Sequence, residues 1–301
     1  MATMLSWHKP VLEELAGRRQ SERLPHAMLL TVGSDPEAMA LAAALPHFML
    51  CDNHNACGLC RACRLLEQGA YSDYHLCQPE GSSKVIKVDQ IRALLSLGAK
   101  TANYAAGKVL ILAPASALNR NAANALLKFL EEPPANTYLF LISSRTSQLP
   151  ATVMSRCQKR MVARPDPTQA LEFLQNRGLS DQRAHALLRL ASNDPLLAIE
   201  IEESDAADAL IGAVSVAERV LAGEAAAREL GQAAQGLDAH LLLMVLIANA
   251  HQFAVAAASK NTLNARLLQW HKALVELQGT YHRSPNINIP LALEQLCVNI
   301  R

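Results

Sequence analysis

Short apolar runs alternate along the first half of the chain with stretches whose apolar residues recur every three or four positions. The run 27–32 (Ala-Met-Leu-Leu-Thr-Val) and the runs 108–112 and 137–142 have the length and content of buried parallel strands. A further strand is expected at 158–162 and a short one at 74–76. Between them, 119–132 sets Ala122, Ala123, Leu126, Leu127, Phe129 and Leu130 at helical spacing and is stopped by Pro133-Pro134. Helices are also expected over 8–23, over 37–50, and over 90–97, where Lys84 to Val88 leads to Asp89 as the N-cap. Strands alternating with helices predict an α/β fold with a parallel sheet covered on both faces and function at the carboxyl ends of its strands.

The pattern changes at Arg164-Pro165-Asp166-Pro167, a run that breaks regular structure. Helices follow at 168–177, 181–191 and 195–202, and beyond Glu203 the chain reads as helix after helix, ending with 291–300. The expected division is a core at 1–164, a small helical segment at 165–205 and an all-helical domain at 206–301. The longest apolar stretch, 241–258, is interrupted by Asn249, His251 and Gln252, which marks a buried helix and not a membrane span.

Composition sharpens this picture in two ways. Half of the 301 residues are apolar but only 4% are aromatic, which favours helices packed through Leu and Ala over an aromatic-rich sandwich. Lys plus Arg number 28 against 27 Asp plus Glu, so no global field draws the chain to nucleic acid or to an anionic membrane. Residues 1–10 lack the charged flank, apolar stretch and cleavage site of a secretory signal, and a cytoplasmic location is expected. Thiols in that compartment serve as metal ligands or stay free, because disulfides do not persist there.

Four of the seven cysteines follow Cys51-x5-Cys57-x2-Cys60-x2-Cys63 within an insertion at 51–64. This spacing suits tetrahedral zinc, and Gly58 permits a tight turn between the second and third thiols. Iron–sulfur clusters use related spacings, and a set of free thiols is the plainest alternative. His54, inside the loop, and Cys77, after the short strand, are competing ligands. Four sulfurs leave no open position on the ion, so the zinc would be structural. Arg61 and Arg64 could offset the negative charge of such a centre, although an ordinary solvated helix face explains them equally well.

Asn124-Ala-Leu-Leu-Lys-Phe-Leu-Glu-Glu-Pro-Pro134, then a strand, then Ser155-Arg156-Cys157, stand in an order that resembles the clamp-loader branch of the AAA+ proteins. The resemblance extends by motif order over residues 1 to about 205, and beyond that by helical character alone. It implies an AAA+ core, a helical lid at 165–205 and a helical collar at 206–301 that joins subunits into a ring. It also favours Cys51 over His54, since the family pattern starts with a cysteine at the helix end, although the gap after it is shorter here.

In ATP-binding relatives the first strand runs into GxxxxGK[ST], whose N–H groups and lysine hold phosphates. Here the run is Val32-Gly33-Ser34-Asp35-Pro36-Glu37-Ala38-Met39: lysine and second glycine are missing, and two carboxylates stand where they would repel a polyphosphate. Gly98-Ala99-Lys100-Thr101 and Gly107-Lys108 lack the strand-before, helix-after context and do not replace it. The strand 108–112 ends in Ala113-Pro114-Ala115-Ser116 without the magnesium-binding acidic pair. Leu196 stands where the family has a sensor arginine, and Ser144, the position of a phosphate sensor, is expected to be an ordinary turn residue. The resemblance therefore implies a subunit that neither binds nor hydrolyses ATP but supplies Arg156 in trans to a neighbouring ATPase. Its partners would be gamma/tau-type ATPase and delta-type subunits of a DNA polymerase III assembly and, indirectly, a sliding clamp and primer-template DNA. An independent AAA+ ATPase and a zinc-containing DNA-binding scaffold are the competing functions.

Overall fold

A computed structural model of the chain describes residues 5–81, 85–259, 265–283 and 286–299. Lys84 and Ile300, each part of an element expected above, lie outside the described residues. The chain divides into two compact units, Met1–Arg164 and Pro165–Arg301.

In the first unit a single turn of 3-10 helix, Ser6–His8, leads into α1 (Lys9–Gln20), shorter than expected, which buries Val11, Leu12, Leu15 and Ala16. Next come β1 (Ala27–Thr31) and α2 (Asp35–Leu50). The second starts two residues earlier than its apolar pattern suggests, because the Ser34 side chain caps it by accepting from Glu37 N and Pro36 suits the first turn. After α3 (Arg61–Glu67) and β2 (Tyr74–Cys77), α4 (Val88–Gly98) begins with Lys87 at the N-cap, not Asp89. There the Gln90 side chain reaches back to accept from Lys87 N at 2.9 Å, while Asp89 sits in the first turn and pairs with Arg92 at 3.3 Å.

β3 (Lys108–Leu112) precedes α5 (Arg120–Glu131), which Asn119 caps by accepting from Ala122 N at 2.8 Å. The unit closes with β4 (Thr137–Ser143), the one-turn α6 (Ala151–Met154) and β5 (Gln158–Met161).

The five strands form one parallel sheet in the order β2-β3-β4-β1-β5, with Leu30 opposite Ile142 and Thr31 opposite Ser143. Alternate side chains enter two separate apolar layers. Met28, Leu30, Val109, Ile111, Phe140 and Ile142 pack with α1 and α2 on one face. Leu29, Leu110, Leu112, Leu139 and Leu141 pack with α4 and α5 on the other. Each such side chain, fully buried, contributes about 1.5–3 kcal/mol relative to exposure. Burial on both faces explains why the strands read as continuous apolar runs and not as alternation. It also leaves the turns after β1 and β4 side by side at the carboxyl end of the sheet.

The second unit is helical throughout its described residues: α7 (Pro167–Gln175), α8 (Asp181–Leu190), α9 (Pro195–Glu203), α10 (Ala207–Ala222), α11 (Ala227–Ala233), α12 (Ala239–Ser259), α13 (Ala265–Arg283) and α14 (Ile289–Asn299). Asp166, Ser180 and Asp194 cap the first three. One apolar cluster runs from Ala170, Leu187 and Ile201 to Leu242, Trp270 and Leu293. Asn249, the polar break in the longest apolar stretch, is buried and donates to the carbonyls of Leu190 (2.7 Å) and Val245 (2.8 Å), so its amide ties α12 to α8 without an unmet donor. No helix among the described residues is long and apolar enough to cross a membrane.

Candidate functional site

Three local constructions on the first unit carry chemistry. The first is the cysteine loop. α2 ends at Leu50, Cys51 turns to extended backbone, and the chain reverses through left-handed residues at His54, Ala56 and Gly58 before Cys60 caps α3. The reversal brings the sulfurs of Cys51, Cys57, Cys60 and Cys63 within 4.8 Å of one another. Cys51 and Cys57 lie 3.6 Å apart and Cys51 and Cys60 3.9 Å. Four sulfurs around a tetrahedral zinc at 2.3 Å would be separated by about 3.8 Å. Backbone N–H groups point at the sulfurs: Cys57 N at Cys51, Cys60 N at Cys57 and Cys63 N at Cys60, at 3.4 to 3.5 Å.

Such N–H groups favour thiolate. Those of Leu59 and Cys60 bring the Cys57 thiol down to about 6, whereas burial pushes Cys63 up. The donor set fits a metal ion held by these four residues. The competing residues fall outside it: Cys77 sits in the apolar layer beneath the sheet, its thiol pushed up to about 11 by burial, and His54 does not join the sulfur cluster. At the start of α3 the Arg61 guanidinium stands 6.0 Å over the Tyr104 ring, which stacks on Tyr71 at 4.6 Å. Arg61 itself stays exposed, as on a solvated helix face.

The second construction is the turn after β1. Its carboxylates are satisfied from within, a result that the expectation of bare repulsion missed. Glu37 is buried, and its carboxylate accepts from Trp7 Nε1 at 2.9 Å, His8 Nε2 at 3.1 Å and Gly33 N at 2.5 Å. Burial opposes its charge, but the hydrogen bonds from His8, Gly33 and Trp7 prevail and hold its carboxyl below the usual range. Asp35 accepts from the Ser144 hydroxyl and pairs with Arg145 at 2.5 Å, so Ser144 is not the plain turn residue expected but the link between the β4 and β1 turns. A cleft of 490 Å³ opens beside this turn, lined by Trp7, Val11, Gly33, Ser144 and Arg164 among others. The turn after β3 offers Ala113, Pro114 and Ala115, with no carboxylate to hold magnesium.

The third construction is Ser155-Arg156-Cys157, between α6 and β5. Cys157 is buried in the apolar layer and anchors the triplet. Arg156 stays at the surface, its side chain 36% exposed, and is held in a fixed fork: Nε and Nη2 donate to one oxygen of Glu131 at 2.8 and 2.6 Å, and Nη1 donates to the Thr152 carbonyl at 2.9 Å. Glu131 is the last residue of α5, so the end of the signature helix and the arginine triplet form one unit. Sequence reasoning found both halves but not their contact, which spans 25 residues. Glu131, the first of the two carboxylates before the proline pair, was the available signal.

The family model "DNA polymerase III, delta subunit" matches residues 7–165, more than half of the chain. The chain is similar to DNA polymerase III subunit delta' of Pseudomonas aeruginosa, 41% identical over 204 residues that cover 66% of this chain and 61% of that protein. It is also similar to subunit delta' of Escherichia coli K12, 34% identical over 203 residues covering 66% and 61%. The match thus spans about three-fifths of the length of these relatives. A third likeness is to subunit tau of Escherichia coli K12, 28% identical over 289 residues, 94% of this chain and 43% of that protein. The chain belongs to the DNA polymerase III delta-subunit family, and the two relatives above with more than 30% identity are both delta' subunits.

Proposed function

We propose that this chain is a subunit of the replicative sliding-clamp loader that does not hydrolyse ATP and lends Arg156 to a neighbouring ATPase subunit. The observation that carries this is the pairing of opposites on one unit: a nucleotide turn filled by its own carboxylates, and an arginine held outward at the surface by Glu131 and Thr152. In phosphoryl transfer, negative charge spreads over the equatorial oxygens of the departing γ-phosphoryl group, and a guanidinium from outside stabilises it. Arg156 suits the role because its planar guanidinium lies at the surface and can exchange its pair with Glu131 for the oxygens of a neighbour's phosphate.

Residues 165–205 are read as a lid and 206–301 as the collar that joins ring subunits, which the helical second unit and the likeness to tau support. The partners are gamma/tau-type and delta-type subunits, with the sliding clamp and primer-template DNA engaged through the ring, in the cytoplasm. The four cysteines are read as a structural zinc site. Zinc bound there would fix the 51–64 loop and leave no coordination position for chemistry.

The reading predicts that the isolated chain neither binds nor hydrolyses magnesium-ATP. Equilibrium dialysis at millimolar nucleotide is expected to give no saturable uptake. Micromolar affinity would contradict the reading and favour an independent ATPase, while salt-sensitive DNA binding by the isolated chain would favour a DNA-binding scaffold.

A further inference from the structure

The turn after β1 keeps the shape of a phosphate-binding loop in one respect: its first backbone N–H, at Gly33, points inward at an acceptor. That acceptor is Glu37 Oε2 at 2.5 Å. The other carboxylate oxygen, Oε1, takes the Trp7 indole N–H and His8 Nε2. Both belong to the 3-10 turn before α1, about thirty residues away in the chain, and both are buried, as is Glu37. Three donors from two segments therefore converge on one buried anion.

Convergent N–H groups at a strand-to-helix turn are an anion cradle. Burying a carboxylate there is favourable because three donors meet it, and leaving those donors empty would cost a desolvation penalty for each. Asp35 completes the arrangement by drawing Ser144 and Arg145 onto the neighbouring turn.

We propose that the Glu37 side chain is a built-in substitute for a bound oxyanion, which fills the cradle formed by Gly33, Trp7 and His8, clips the N-terminal segment to the β1–α2 turn and closes that turn to phosphate. The nucleotide turn is then filled from inside, not merely stripped of its lysine. The inference concerns the chain's own fold and does not depend on the ring it joins.

Chemical rescue of the full chain tests it. Glu37→Ala empties the cradle and is expected to lower Tm by about 5–10 °C, as loss of a few buried charged hydrogen bonds would in a chain of this size. Acetate, formate or inorganic phosphate should then restore part of the loss with saturable, millimolar dependence, at constant ionic strength set with chloride. Wild type should show no such anion-specific gain. Glu37→Gln, which keeps the side chain in place, should lose stability without rescue, because the amide still fills the cradle. The Trp7 indole N–H resonance, one of two such signals from the two tryptophans, should shift in Glu37→Ala and return towards its wild-type position with acetate. If Glu37→Ala accumulates only as unfolded chain, the readout is its refolding yield in acetate against chloride. An anion-independent Tm and indole resonance, equal refolding yields, or equal gains in all three proteins would each overturn the proposal.

Discussion

Replacing Arg156 by alanine is expected to lower hydrolysis at one site of the assembled loader by about 10³-fold or more, the scale on which fingers act in other NTPases. Folding, metal content and ring assembly should be unaffected. The fold loses only the surface pair with Glu131 and the bond to the Thr152 carbonyl, and exposed pairs of this kind contribute about 0–1 kcal/mol. Arg156→Lys should recover part of the rate, since an ammonium keeps the charge without the planar fork that engages two oxygens. Single-turnover hydrolysis by rings rebuilt with each protein separates the affected site from the others. Equal rates for wild type and Arg156→Ala in fully assembled rings would remove the finger and leave this chain a structural member of the ring.

The second large effect is expected at the cysteine loop. The purified chain should carry one zinc, and Cys60→Ser should lose it, because Cys60 supplies both a sulfur and the N-cap of α3. The energy lost is local. Metal binding to zinc-finger peptides is worth about 10–16 kcal/mol at neutral pH because the whole peptide folds with the ion. Here the sheet has its own two apolar layers, so the loss is expected to be confined to residues 51–67. Hydrogen exchange should therefore accelerate sharply across that loop and α3 while β1, β3 and β4 stay protected. Cys77→Ser should keep its zinc, since that thiol is buried against the opposite layer. Iron in the fresh protein, no metal at all, or zinc loss in the Cys77 variant alone would each contradict the assigned ligand set.

Much of this was legible in the sequence wherever the signal is local. The four clustered cysteines lie within thirteen residues, so their spacing alone brings them together. β1, β3 and β4 announced themselves as apolar runs because both their faces are covered. β5, with Lys159, Arg160 and Met161 exposed, has no such pattern. Asn119 and the proline pair bracket α5 to within a residue.

What stayed hidden is long-range polar pairing. Glu37 reads as an intruder in a phosphate loop, and nothing local reveals that Trp7 and His8 return to meet it. Asp35 likewise awaits Arg145 across 110 residues. Even at short range, Asp89 was the better cap by residue type. The Gln90 side chain, by reaching back to the backbone of Lys87, moved the start of α4.

Clamp loading itself tests the central claim most directly. Gamma/tau-type and delta-type subunits are combined with this chain, or without it, and the transfer of labelled sliding clamp onto primed circular DNA is followed with ATP present. The account predicts that loading requires this chain and that a ring containing it loads clamps although the chain itself holds no nucleotide. Loading that is equally fast when the chain is omitted would contradict its place in the loader.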